Sequence, residues 1–249
     1  MSAILYHGEP NGPSLTVLAA AFEKEADVAL ERIDLAAGER HSDRVPHAFE
    51  VAQSIEGEGP VLVADGVAMA DSVFLACYLD DIGTGPALRP ADPYARWQMM
   101  AWCRYVIERV APAAAYLGLA AAPPQTVPAG IASADLAERW RDAAAGRFDP
   151  AKLADSRTKI TLAVEKIEAQ LTDGRDWLMG DFSIADLESY AWLAGMPALV
   201  PDAFAGTPLT DAWLARVRAR PAVARALALA TVAAPETAWA PGPEINRWG

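Results

Sequence analysis

The sequence predicts a small α/β domain followed by an all-α domain. Short apolar runs with turn residues between them fill residues 1–82, and a linker rich in glycine and proline spans 83–93. Residues 94–232 show helical periodicity, and the tail 233–249 shows no regular pattern. A chain of 249 residues suits two modest domains, at roughly 100–200 residues per domain. These observations set the predicted domain boundaries.

The first domain is predicted to begin with a strand, a helix and a second strand. The apolar run 3–6 is the first strand, and glycines and prolines at 8–13 end it. Ser14 stands where an N-cap residue belongs, directly before a helix predicted over 15–22. Residues 28–33 complete a βαβ unit.

A hairpin gives the clearest strand signal. An Asp-Gly pair at 65–66 joins the apolar runs 61–64 and 67–69, and both central residues of such a turn need positive φ. Asp71 and Ser72 are placed to cap the next helix. The predicted result is a mixed sheet with helices packed on it.

The second domain is predicted to be helical from its start. Asp92 is a good N-cap because Pro93 follows it, and the missing N–H of proline costs nothing at the first helical position. Ser183 and Asp186 have the spacing of a capping box. Apolar residues spaced by four, three and four mark one buried helix face at Ile160, Val164, Ile167 and Leu171. Shorter helices are predicted over 210–217 and 222–232, and an irregular loop over 120–130.

Composition excludes several classes of protein. The 33 acidic residues outnumber the 21 basic ones, and a net charge of −12 argues against nucleic-acid binding. No apolar run approaches the ~20 residues that span a bilayer, and no signal peptide is evident, so we expect a cytoplasmic protein without a membrane partner. Two cysteines and three histidines are too few for a disulfide framework or a histidine-rich metal site, so no metal is expected. Cys77 and Cys103 lie in apolar helical surroundings and are interpreted as inert thiols.

Three short segments resemble the glutathione S-transferase superfamily: EGEGPVL at 56–62, the pair Asp71-Ser72, and GDFSIAD at 180–186. The segments at 10–15, 40–43 and 88–94 are similar to the bacterial β-aryl etherase branch, which cleaves ether bonds of lignin-derived aromatics with glutathione. The resemblance implies a thioredoxin-like first domain, an all-helical second domain and glutathione as co-substrate.

The resemblance also implies a site for the glutathione thiol at the start of the first helix. A free thiol has a pKa of ~8.5, and a hydrogen bond to sulfur or the positive end of a helix lowers it. Ser14 matches the serine that contacts the thiol in the family, and Asn11 is a second candidate catalytic donor. From the local sequence alone, Ser14 is a simple helix cap and Asn11 a turn residue; the resemblance is what favours the catalytic roles.

The remaining parts of glutathione have predicted partners too. The resemblance implies a cis bond before Pro60, with the backbone of Gly59 pairing with the cysteinyl unit. Asp71 and Ser72 would hold the γ-glutamyl end. His41 would reach the glycyl carboxylate; the alternative is an ordinary surface histidine.

The aromatic substrate is expected against the second domain, where an apolar wall is needed. The candidates are Trp97, Met100, Tyr105 and Trp192. Trp239 or Trp248 could close over the cleft if the tail folds back.

These expectations predict a glutathione transferase whose bound thiolate attacks an aromatic electrophile, with β-aryl ether cleavage as the specific case. The resemblance implies a homodimer or a heterodimer with a related subunit. Two alternatives stay open: a catalytically silent binding or assembly subunit, and a glutathione-dependent peroxidase.

Overall fold

The computed structural model describes residues 3–48 and 57–242. Two features singled out in the sequence, Glu56 and Trp248, lie outside these residues. No helix in the described part of the chain has both the length and the apolar character needed to cross a membrane.

In the described residues of the first domain, four strands form a mixed sheet and two α-helices accompany it, and a mixed sheet with helices was predicted. The strand order is β2-β1-β3-β4, with β1 parallel to β2 and antiparallel to β3, and β3 antiparallel to β4. Its elements are β1 (Ala3–His7), α1 (Gly12–Glu23), β2 (Ala29–Arg32), β3 (Val61–Ala64), β4 (Val67–Met69) and α2 (Ser72–Ile82).

The hairpin between β3 and β4 forms at the predicted Asp-Gly pair. Asp65 has φ of 48° and Gly66 has φ of 84°, so both central residues adopt the left-handed conformation that this turn requires. The hairpin pairs Leu62 with Met69 and so sets which face of the strands is buried.

The second domain is built from helices, which confirms the predicted fold class. Asp92 caps its first helix by accepting a hydrogen bond from the Ala95 N–H at 2.8 Å. Its helices are α3 (Pro93–Tyr105), α4 (Ala111–Ala121), α5 (Ala134–Ala144), α6 (Pro150–Gln170), α7 (Ile184–Leu193), α8 (Met196–Leu199), α9 (Pro201–Phe204), α10 (Pro208–Arg218) and α11 (Pro221–Leu227). A π-helical turn at Val106–Val110 joins α3 to α4.

Helix α7 is the centre of the molecule because all ten of its residues are buried. It packs against α1 of the first domain as well as α3 and α4 of its own. The predicted capping box is present: the Asp186 carboxylate accepts hydrogen bonds from the Ser183 N–H at 3.0 Å and the Leu178 N–H at 2.9 Å. Trp213 Nε1 and the Ser183 hydroxyl also donate to this carboxylate, at 2.9 and 3.2 Å.

Some local predictions were wrong. The N-cap of α1 is Asn11, and Ser14 lies inside the helix, since the chain already turns helical at Gly12. The bond before Pro60 is trans, because no peptide bond of the described residues is cis, and trans is the default at ~95% of X–Pro bonds in folded proteins. Helix α11 ends at Leu227, short of 232, and α4 continues to Ala121, so the irregular loop begins later than predicted.

Candidate functional site

A cavity of about 180 Å³ lies between the two domains. The first domain contributes the loop after β1, the start of α1 and the chain after β2, while the second contributes α7, the loop after α4 and the tail. The lining residues on which the chemistry depends are Asn11, Gly12, Pro13, Glu58, Trp192 and Trp239.

Glycine at position 12 allows the second domain to approach the start of α1 closely. Gly12 has φ of 48°, a conformation that residues with a side chain rarely adopt. A Cβ there would lie 3.3 Å from Cη2 and Cζ3 of Trp192. The indole of Trp192 therefore packs directly over the first turn of α1.

Two stacked indoles form the apolar wall of the cavity. Trp192 and Trp239 have ring centroids 6.5 Å apart and planes inclined by 24°. Trp239 is only 5% exposed and occupies space that Gly118 leaves free, since a Cβ at position 118 would overlap its ring. The two rings offer an apolar surface that suits an aromatic ligand.

The tail folds back across the cavity, and hydrogen bonds between described residues hold it there. The backbone N–H of Glu58 donates to Pro241 O at 2.7 Å, and Asn11 Nδ2 donates to Glu236 O at 3.3 Å. Gln125 Nε2 donates to Trp239 O at 3.0 Å. Trp239 was expected to cover the cleft if the tail folded back. The tail does fold back, and Trp239 lines the cavity.

The two candidates for contact with the thiol occupy different positions. Asn11 lines the cavity at the N-cap of α1, and its buried Oδ1 has no hydrogen-bond partner among the described residues. Ser14 is 1% exposed, lies behind this surface, and its Oγ accepts a hydrogen bond from the Gly8 N–H at 3.0 Å. Asn11 therefore faces the cavity, whereas Ser14 holds the turn after β1.

Asp71 and Ser72 lie together at the start of α2. Asp71 Oδ1 accepts hydrogen bonds from the N–H groups of Val73 at 3.0 Å and Phe74 at 3.1 Å, as predicted for a cap. The φ of Asp71 is 73°, which is uncommon for any residue other than glycine and is often found at functional sites. Ser72 is buried, and its hydroxyl donates to Glu188 Oε1 of α7 at 3.0 Å.

His41 belongs to a buried polar cluster. Its Nε2 lies 2.6 Å from Glu58 Oε1, which also accepts a hydrogen bond from Trp140 Nε1 at 2.7 Å. The side chains of His41 and Glu58 are 3% and 0% exposed. A ligand carboxylate at His41 would have to compete with that of Glu58.

Gly59 and Pro60 pass beside the start of α1. A Cβ on Gly59 would lie 3.5 Å from Pro13 Cγ, which is ordinary van der Waals contact, so the position would accept a side chain. This loop and the start of α1 therefore form one continuous surface.

Of the candidates in the second domain, Trp192 lines the cavity. Trp97 is 62% exposed and stacks on Tyr94, with ring centroids 5.7 Å apart. Met100 and Tyr105 pack against the core, and burial raises the pKa of Tyr105. These three residues are not among those that line the cavity.

Glu188 was not among the site residues predicted from the sequence, and it is completely buried on α7. Its Oε1 accepts a hydrogen bond from Trp192 Nε1 at 2.8 Å. Burial is the main cause that raises its pKa to about 7, against the lowering effect of its hydrogen bonds. A signal was present, because a glutamate within an apolar helix and four residues before a tryptophan lies on the same helix face as that tryptophan.

No group of three or more histidine, cysteine, aspartate or glutamate side chains is arranged to hold a metal ion within 3–48 and 57–242. Cys103 is buried, and burial raises its thiol pKa well above the ordinary value. Burial also raises the pKa of Cys77.

Comparisons with known proteins find relatives over most of the chain. Residues 131–221 match the family model "Glutathione S-transferase, C-terminal domain". The chain is 28% identical over 246 residues to Protein LigF of Sphingobium sp., covering 90% of this chain and 92% of that protein. It is also 28% identical over 218 residues to the probable glutathione S-transferase BZ2 of Zea mays, covering 80% of each.

Solved structures agree with these matches. The crystal structure of the β-etherase LigF from Sphingobium sp. superimposes with a TM-score of 0.81 at 27% identity, over 92% of this chain and 99% of that one. A glutathione transferase homologue from Sulfitobacter, solved with bound glutathione, has a TM-score of 0.66 at 19% identity, over 90% and 96%, and supports the fold alone. The chain therefore resembles the glutathione S-transferase superfamily in both domains, with a β-etherase among its relatives.

Proposed function

We propose that this protein, which resembles glutathione S-transferases along most of its length, is a glutathione transferase acting on aromatic electrophiles. The proposed substrate is a β-aryl ether of the lignin-derived type. One observation carries the proposal: the start of α1, which suits a thiolate, and the indole of Trp192 lie against each other and line the same cavity.

The start of α1 is suited to stabilising negative charge on sulfur. Helix N-termini carry unpaired N–H groups and a positive partial charge, which lower the pKa of a nearby thiol. The side chain of Asn11 supplies a further polar group that faces the cavity. We assign the direct contact with the thiol to Asn11 and a supporting role to Ser14, whose hydroxyl holds Gly8.

The γ-glutamyl group is assigned to the start of α2. A ligand carboxylate there would meet helix N-terminal N–H groups, while the carboxylate of Asp71 attracts the ligand ammonium. The Gly59–Pro60 backbone lies beside Pro13 and is proposed to hold the cysteinyl unit. His41 is assigned no direct role, because its ring already faces Glu58.

The proposed reaction is a substitution at carbon. The thiolate forms a C–S bond to the carbon next to the ketone while the C–O bond to the aryl group breaks. The electron pair leaves on the phenolate oxygen, which then takes a proton from water. Holding the sulfur in line with the leaving group is the main contribution of the protein.

The test measures phenol release from each enantiomer of a β-aryl ether ketone in the presence of glutathione. Asn11→Ala is expected to lower kcat by ~10²–10³-fold, the usual loss for a transition-state donor, and Ser14→Ala by less. Titration of thiolate absorbance should show a lowered pKa for bound glutathione. Glutathione bound without acidification and without turnover on any aryl ether would contradict the proposal.

We also propose that two copies of this chain pair through an exposed apolar surface. We assign to this pairing surface four large side chains on β4, α2 and α3 that are each more than 60% exposed: Val67, Phe74, Tyr94 and Trp97. Exposed apolar groups of this size commonly mark an interface. Sedimentation of the purified chain tests this: a single species with the mass of two chains is expected, and a monomer would point to a different partner subunit.

A further inference from the structure

Glu188 joins the wall of the cavity to the first domain. Its Oε1 accepts hydrogen bonds from Trp192 Nε1 at 2.8 Å and from Ser72 Oγ at 3.0 Å. Trp192 lies one turn further along α7, and Ser72 is the first residue of α2. One carboxylate oxygen thus connects the cavity wall to the helix assigned to the γ-glutamyl group.

The other side of the carboxylate faces α1. Thr16 acts on Glu188 as a hydrogen-bonding group that lowers its pKa. Glu188 Oε2 and Thr16 Oγ1 are both buried without a hydrogen bond of good geometry within the described residues. The carboxylate therefore meets α1 as well as α2.

A carboxylate is a costly group to place here. Burying a charged group costs several kcal/mol unless its partners compensate, and an apolar side chain of similar size is often more stable. A buried carboxylate is not needed to join the two domains, since apolar side chains of α1 and α7 already belong to one hydrophobic core. What Glu188 adds is a directional bond that fixes the rotation of the Trp192 ring.

The ring has little freedom to move without changing the cavity. Trp192 packs over Gly12, where an added Cβ would lie only 3.3 Å from ring atoms of the indole. The indole also stacks on Trp239. A tilt of the indole would close on the start of α1 or separate the two rings. Either change alters where an aromatic ligand lies relative to that helix start.

We propose that Glu188 is a positioning residue that holds the Trp192 ring in a fixed orientation relative to the start of α1. The ring in turn sets the placement of the aromatic substrate against the thiol. This inference rests on the proposed function for its substrate. The effect is expected in binding and orientation of the aromatic group, because Glu188 itself is completely buried.

The protonation state of Glu188 bears on this role. Burial raises its pKa to about 7, and the negative charge of Asp71, just before α2, adds to that rise. The charge of Glu188 in turn helps to raise the pKa of Cys103 on α3. Helix α1 carries no charged residue before Glu23. The bond to the indole is charge-assisted above pH ~7 and weaker below it.

The test compares Glu188→Gln, Glu188→Ala and the matched control Ser189→Ala. Ser189 is also a buried polar residue of α7 and accepts a hydrogen bond from a tryptophan, Trp102 Nε1, at 2.9 Å, but neither of these two residues lines the cavity. Each variant is assayed for kcat and KM with glutathione and with the aryl ether separately. Binding of an unreactive aromatic ketone is followed across neutral pH.

Glu188→Ala is expected to lower kcat/KM for the aryl ether by ~10²-fold, the usual cost of a misplaced reacting group. Ser189→Ala should match the wild type. Glu188→Gln keeps an acceptor for the indole, so it should retain most activity and lose the change in ketone affinity that the wild type shows around pH 7.

The outcomes separate this inference from the proposed function. An active wild type with Glu188→Ala indistinguishable from Ser189→Ala would overturn the inference and leave the function intact. A wild type that binds the ketone but neither binds nor uses glutathione would end the proposed function, and the ketone measurements would still test Glu188. If Glu188→Ala does not fold, a ketone affinity that varies identically with pH in the wild type and Glu188→Gln overturns the inference.

Discussion

Replacing Glu188 with glutamine should change how the stability of this protein depends on pH. Burial raises the pKa of Glu188 from an ordinary value of 4.5 to about 7, so the folded state holds a proton that the unfolded state has released between those values. The stability contributed by that proton is fully present below pH 4.5 and is lost as pH rises through about 7. Glutamine has a similar size and no proton to lose.

The size of the effect follows from the two pKa values. The difference between 4.5 and about 7 corresponds to ~3 kcal/mol of unfolding free energy, at 1.36 kcal/mol for each unit. About 2 kcal/mol of this falls between pH ~5.5 and ~8. The pKa of Asp186 is also raised, to about 6, but Asp186 is present in both proteins and its contribution cancels in the comparison.

Urea unfolding at a series of pH values measures the difference directly. The wild type should lose ~2 kcal/mol relative to Glu188→Gln as pH rises across this interval, with equal m-values showing that the unfolded states are comparable. Curves that stay parallel at every pH would refute the reasoning, since they would mean that Glu188 ionises in the folded protein as it does in water.

Further predictions concern the cap of α7, the start of α1 and the pairing surface. Asp186→Ala leaves four buried donors without this acceptor and should lower the unfolding free energy by ~3–5 kcal/mol in urea titrations, while Trp213→Phe, which removes one of them, should cost ~1 kcal/mol. Gly12→Ala should lower the unfolding free energy by ~1–2 kcal/mol, because Gly12 has a positive φ. It should also lower kcat/KM for the aryl ether, because the added methyl group displaces Trp192. Unchanged kinetics would contradict the assignment of Trp192 to the wall of the substrate cavity. Trp97→Glu should shift the sedimenting species to a monomer without changing the melting temperature of the single chain, and an unchanged mass would exclude this pairing surface.

The local elements were predictable because their signals lie within a few residues. The turn at 65–66 needs two positive φ values, Asp92 precedes a proline, and Ser183 stands three residues before Asp186. Each signal involves groups that meet whatever the rest of the chain does. The order of strands and helices, and with it the fold class, follows from such signals.

The site depended on contacts between residues far apart in the sequence. Ser14 looks like a cap, yet Asn11 takes that position and faces the cavity. His41 looks exposed until Glu58 and Trp140 are brought against it. The tail has no pattern of its own, and its hydrogen bonds to the first domain keep Trp239 on Trp192.

The amino-acid sequence alone therefore determined a mixed sheet followed by a helical bundle, because hydrophobic periodicity and caps act over one or two turns. The tertiary structure decided which polar groups are buried together. The carboxyl group of Glu188 meets the hydroxyl of Ser72 across 116 positions of the chain, and only the packing of the two domains brings them within 3.0 Å.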